Sequence, residues 1–144
     1  MANNAERIVI DTNLWISFLI SNKFKILDQL LSNRDTVVLF SNELLSEFTE
    51  VIGRPKFKKS FSKENTDQVL NSIQYVAEFI SVRSRVEVCR DVKDNFLLAL
   101  SKDGDADFLI TGDNDLLAVK QFHKTKIISF SDYLKLKNLL KAHN

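Results

Sequence analysis

The sequence predicts an α/β fold, a central parallel β-sheet flanked by helices on both faces, and three observations carry that expectation. Short apolar runs with β-branched residues fall at 7–10, 37–40, 107–111 and 126–130, separated by longer stretches with helical spacing. Those runs are apolar almost throughout, where a sheet wetted on one face would alternate with polar residues. Finally, 144 residues that are 44% hydrophobic and 27% charged suffice to bury one core, so a single domain over 1–144 is expected.

In chain order, Ile8, Val9 and Ile10 head through a core as the first strand and stop at Asp11, after which a second apolar run reads as a helix over 12–20. A helix over 24–32 and a strand over 37–40 follow by the same spacing rules. The next helix, 43–52, gathers Leu44, Leu45, Phe48, Val51 and Ile52 on one arc and ends at the break Gly53-Arg54-Pro55. A long helix over 63–80 sets Val69, Leu70, Ile73, Val76, Ala77 and Ile80 on one stripe facing the core. Helix 94–102 precedes the strand 107–111, Gly112 turns the chain, and Asn114-Asp115-Leu116-Leu117 opens helix 114–121. Strand 126–130 and helix 132–141 complete the alternation.

Several function classes drop out. Twenty basic against nineteen acidic residues leave a formal charge of +1, so nucleic acid could be held only by local patches. The lone Cys89 has no disulfide partner and no metal-site spacing, which fits a reducing compartment, and His123 and His143 are isolated. The N-terminus lacks the pattern of a secretory signal, and no window approaches the roughly 20 apolar residues of a membrane span, so a cytoplasmic chain is expected. Neither a GxxxxGK[ST] nor a GxGxxG string is present, and a receiver-like reading fails for want of an Asp after 37–40.

The acids are what remain. Asp11 stands where a strand ends and a helix begins, which suits an N-cap. The same place suits a ligand, because open parallel sheets bind ligands beyond the carboxyl ends of their strands. Asp113 repeats the arrangement after 107–111, and Asp94, with Asp91 as competitor, stands at the next predicted helix start. Glu47 lies inside a helix and cannot cap one; at about 100° per residue it falls about 40° beyond Val51 at the edge of the apolar arc, nearer the core than Glu43 or Glu50. Gathered together, such carboxylates would repel by roughly 4 kcal/mol per pair at about 4 Å and an effective dielectric near 20. A cation is therefore expected. With neither Cys nor His nearby, the all-oxygen set suits Mg²⁺ or Mn²⁺ and disfavours zinc.

Four segments, Ile8-Val9-Ile10-Asp11-Thr12-Asn13, Leu44-Leu45-Ser46-Glu47-Phe48, Asp91-Val92-Lys93-Asp94-Asn95 and Leu109-Ile110-Thr111-Gly112-Asp113, together resemble a PIN domain in order and spacing. With Arg54-Pro55-Lys56-Phe57 after the second acid, the chain is similar to the subgroup of toxins from toxin–antitoxin pairs. PIN domains are mostly metal-dependent ribonucleases. The resemblance implies that Asp11, Glu47, Asp94 and Asp113 are catalytic metal ligands for Mg²⁺ or Mn²⁺, with Asp115 as a helper and Thr12 or Asn13 orienting them. Asp94 is preferred to Asp91 because its Asn-Phe-Leu-Leu-Ala continuation matches the family's helix. It further implies an RNA substrate, a cognate antitoxin and a homodimer; the competing expectation is a non-catalytic RNA-binding or protein-binding scaffold.

The stretch 54–63 gathers five cations and two aromatics, offering Arg54, Lys56, Lys58 and Lys59 as phosphate contacts and rings for stacking on single-stranded RNA. A solvated basic loop is the plain alternative. Arg83, Arg85, Arg90 and Lys93 form a second candidate patch, Ser41 and Thr111 are candidates to hold a water or a phosphate oxygen, and Trp15 and Phe18 are expected in the core or at a subunit contact.

Overall fold

A computed structural model describes residues 5–20, 29, 32–57, 59 and 63–142. Six strands form one sheet: β1 (Glu6–Ile10), β2 (Thr36–Phe40), β3 (Glu78–Phe79), β4 (Phe108–Ile110), β5 (Gln121–Phe122) and β6 (Thr125–Ile128), in spatial order β3-β2-β1-β4-β6-β5. All neighbours pair in parallel except β5, which runs antiparallel to β6. The helices are α1 (Thr12–Ile20), α2 (Asn42–Ile52), α3 (Lys63–Val76), α4 (Val92–Asp103), α5 (Asn114–Val119) and α6 (Phe130–Ala142), with a 3₁₀ turn at Pro55–Phe57.

The order of pairing positions everything that follows. From β1 the chain builds outward to β2 and β3, then returns to the other side of β1 with β4. That reversal opens a crevice beyond the carboxyl ends of β1 and β4, where ligands bind in open α/β sheets. Ile10 is in register with Ile110, and the Asp11 N–H donates to the Ile110 carbonyl at 3.0 Å, so the residues leaving the two strands stay side by side.

The central strands are covered on both faces, as their apolar runs require: Ile8, Val9, Ile10, Leu39, Phe40, Leu109 and Ile110 are buried. Trp15 is fully buried, its ring centroid 5.7 Å from Phe40 and 6.3 Å from Phe48, and Phe18 meets Phe130 edge-on at 4.8 Å. Both aromatics therefore belong to the core. Leu44, Phe48, Val51 and Ile52 form the buried face of α2, and Ser41 caps that helix by accepting the Leu44 N–H at 3.0 Å. The fully buried Ser41 hydroxyl is committed to this cap, which displaces the expectation that it holds water or phosphate.

Several boundaries depart from the sequence pattern, among them the strand expected over 126–130, which ends at Ile128. The long helix expected over 63–80 ends at Val76, because 78–79 pair with β2 (Leu39 with Glu78, Phe40 with Phe79) and the Ile80 N–H donates to the Phe40 carbonyl at 2.8 Å. Within α3 only Ile73 is fully buried among the described residues, and Val76 is 45% exposed. Helix 114–121 stops at Val119, since Lys120 takes φ 70° and 121–122 turn into β5. Helix 94–102 begins two residues early at Val92, with Asp91 as its N-cap, and helix 132–141 begins at Phe130. The helix expected over 24–32 lies almost entirely outside the described residues.

Gly104 ends α4 at a close approach: a Cβ there would lie 2.7 Å from Leu39 Cδ1, 3.1 Å from the Leu100 carbonyl and 3.2 Å from Ile80 Cγ1. Leu39 is fully buried and has little room to yield. Gly104→Ala is therefore expected to destabilise the fold by about 1–3 kcal/mol, read as a lower urea midpoint at unchanged slope; a midpoint equal to wild type would show that the β2 layer gives way freely.

Candidate metal centre

Each acid owes its place to a helix start or a helix flank. Asp11 follows β1 and opens α1: its carbonyl accepts the N–H groups of Leu14 at 2.9 Å and Trp15 at 3.3 Å, and its Oδ1 accepts that of Asn13 at 3.0 Å. Its Oδ2 accepts the Thr111 hydroxyl at 2.7 Å, and Thr111 Oγ1 in turn accepts the Asp113 N–H at 3.0 Å. A single buried hydroxyl thus ties the end of β1 to the end of β4. The cap and ligand readings of Asp11 describe one geometry, since the same carboxylate caps α1 and lines a cavity.

Asp113 caps α5, its Oδ1 accepting the N–H groups of Asp115 at 2.8 Å and Leu116 at 3.3 Å. Asp91 caps α4 by accepting the Lys93 N–H at 2.9 Å, so Asp94 falls inside the first turn of that helix. Asp94 is 5% exposed, and its Oδ2 has no hydrogen-bond partner among the described residues. The two competitors separate in this way: Asp91 serves the backbone, and Asp94 is buried with an oxygen to spare. Glu47 is half-buried on the flank of α2, where Glu43 and Glu50 are exposed, and its Oε1 lies 3.4 Å from Lys93 Nζ.

Asp11, Glu47, Asp91, Asp94 and Asp113 line one cavity of about 290 Å³. Oxygens of Asp94, Asp113 and Asp115 lie within 4.8 Å of one another, with the exposed Asp115 paired to Arg90 at 3.2 Å on the margin. Burial, then the charges of Asp113 and Asp91, push the Asp94 carboxyl up to about 6. Burial also raises Asp11, offset in part by the bonds from Thr111 and Asn13. An all-oxygen donor set with a buried, unpartnered carboxylate oxygen fits a hard divalent cation.

The basic residues divide. Arg54, Lys56 and Phe57 line the same cavity, with Lys56 Nζ 5.0 Å from the Phe57 ring centroid and Arg54 paired to Glu50. Lys59 is exposed and away from the cavity lining, and Lys58 lies outside the described residues. In the second patch Arg83 and Arg85 are exposed, Arg90 is drawn to Asp115, and Lys93 reaches the cavity itself. Three supporting contacts carry no mark in the sequence pattern: the Thr111 bridge, the Lys93–Glu47 pair, and a clamp in which Asn95 Oδ1 accepts the Val88 and Cys89 N–H groups at 3.0 and 2.7 Å. The clamp fixes the segment that leads into Asp91.

A family model described as PIN domain matches residues 7–115, a span holding all of these acids. No curated protein matches the chain.

The raised Asp94 pKa has a stability consequence. Its ionised form is disfavoured in the folded state, so stability declines as pH rises from the ordinary 3.8 through about 6, and the loss is complete above that. In EDTA at pH 7.5, Asp94→Asn is expected to melt several degrees above wild type, with the gap closing as pH falls toward 4; a variant melting at or below wild type throughout would show that Asp94 carries no such strain.

Proposed function

The chain belongs to the PIN domain family, and on that premise we propose that it is a metal-dependent endoribonuclease that hydrolyses RNA phosphodiester bonds. PIN domains are generally nucleases, and the observation that carries the finer reading is the buried Asp94 Oδ2 left without a partner in a cavity lined by Asp11, Glu47 and Asp113. These four side chains would hold Mg²⁺ or Mn²⁺, with Asp115 at the margin. When bound, the cation supplies a Lewis acid that makes water a better nucleophile and offsets charge on the phosphodiester.

The protein's own part is positional. Thr111 and the Asn13 N–H hold both oxygens of Asp11, fixing the carboxylate against rotation. Asp113 Oδ1 is held by the two amides it caps, which sets the plane of that carboxyl group. At the rim, Arg54 and Lys56 offer charge to backbone phosphates and Phe57 a face for an unstacked base, an arrangement suited to single-stranded RNA. The likeness of 8–13, 44–48, 91–95 and 109–113 in sequence, with 54–57 after the second, to toxins of toxin–antitoxin pairs extends the proposal to a cytoplasmic, homodimeric toxin restrained by a cognate antitoxin.

Purified protein is expected to cut single-stranded RNA in millimolar Mg²⁺ or Mn²⁺, to stop in EDTA, and to leave 5′-phosphate and 3′-hydroxyl ends. Glu47→Gln and Asp113→Asn should each slow cleavage on the order of 100-fold or more. Cleavage that persists in chelator, or cyclic 2′,3′-phosphate ends, would contradict the mechanism; metal uptake without turnover would favour a non-catalytic RNA-binding scaffold.

A further inference from the structure

The cavity carries its own cation. Lys93 projects from the first turn of α4, lines the cavity, and sets its ammonium 3.4 Å from Oε1 of Glu47 on the facing helix α2. Of the other cations on the lining, Arg54 is paired to Glu50 outside the acid set and Lys56 rests over Phe57. Lys93 is thus the cavity cation that, among the described residues, forms an ion pair with a cavity carboxylate. Next to it in sequence, Asp94 is 95% removed from solvent by the measure of its 5% exposure, with an oxygen left unpartnered.

We propose that Lys93 is a built-in counter-ion of Glu47 that a divalent cation must displace, and that the ammonium so released serves at the cavity mouth as a phosphate contact. The inference rests on the metal-site reading above and goes beyond it to the order in which charges are exchanged. Magnitudes favour displacement. The Lys93 side chain is 65% exposed, and an ion pair of that exposure, screened by solvent, is weak. A divalent cation facing several carboxylates gains more, and a lysine stem of four carbons lets the ammonium swing outward without moving α4. In this exchange Lys93 lowers metal affinity, keeps the metal-free acid set partly neutralised, and couples metal arrival to phosphate binding.

The test measures Mn²⁺ alone on the intact protein by electron paramagnetic resonance, comparing wild type with Lys93→Ala and Lys93→Arg. Lys93→Ala is expected to bind Mn²⁺ on the order of tenfold more tightly at low salt, as removal of one positive charge near a divalent ion predicts, while Lys93→Arg stays near wild type. A fluorescent single-stranded 2′-deoxy oligonucleotide then reports the second half: Mn²⁺ should strengthen its binding to wild type several-fold and strengthen it less in Lys93→Ala. Equal or weaker Mn²⁺ binding by Lys93→Ala would overturn the inference alone. Uptake of Mn²⁺ by neither protein would overturn it together with the site reading on which it rests.

Discussion

Like charges gathered around one cavity, with Asp11 and Asp94 buried among them, are the constraint on which this structure turns. At the carboxyl ends of β1 and β4, Asp11 and Asp113 are brought side by side by strand pairing, and Asp94 and Glu47 are added from α4 and α2. The fold offsets this repulsion in part. Asp11, Asp91 and Asp113 each sit at a helix start, so the amino ends of α1, α4 and α5 converge on the cavity with their partial positive charge. Such a helix end contributes about 0.3–1 kcal/mol to a nearby carboxylate, against roughly 4 kcal/mol for one close pair at an effective dielectric near 20. The helix ends are therefore insufficient; Lys93 in the cavity and Arg90 at its margin supply part of the balance, and the divalent ion of the proposed function would supply the rest.

The same comparison explains why one carboxylate can cap and still serve the cavity. A capping Asp spends one oxygen on one or two amide N–H groups, as Asp113 Oδ1 does with Asp115 and Leu116. Asp11 goes further and has both oxygens engaged, one by a backbone amide and one by Thr111. Asp94 caps nothing and stands least compensated, which is why its pKa is the one driven furthest among the cavity acids. Rigidity at Asp11 and strain at Asp94 are thus two consequences of one packing arrangement.

Much of this was legible in the sequence because period and position are local properties. The apolar runs at 7–10 and 37–40 mark β1 and β2 to within a residue, and the strand-to-acid steps at Asp11 and Asp113 mark the crevice. Glu47 could be singled out by helical angle alone. What sequence could not supply depends on tertiary pairing. Strands β3 and β5 are two residues each, too short to show a period, and the pull of β2 on 78–79 shortens the long helix against its own apolar stripe. The backbone role of Asp91 and the burial of Asp94 are likewise tertiary facts: Asp91 accepts the Lys93 amide, while Asp94 is buried with an oxygen left unpartnered among the described residues. The Asn95 side chain holds backbone amides of the preceding loop and Lys93 reaches Glu47 across two helices, and no spacing rule announces either.

Whether the cavity acids form one divalent-metal site is decided by a crystal structure from Mn²⁺-soaked crystals with anomalous data collected at the manganese edge. An anomalous peak is expected inside the cavity, with Asp94 Oδ2 about 2.0–2.3 Å from the ion and at least two further oxygens drawn from Asp11, Glu47 and Asp113. Manganese found only on surface carboxylates, with Asp94 Oδ2 still unligated at saturating Mn²⁺, would contradict it.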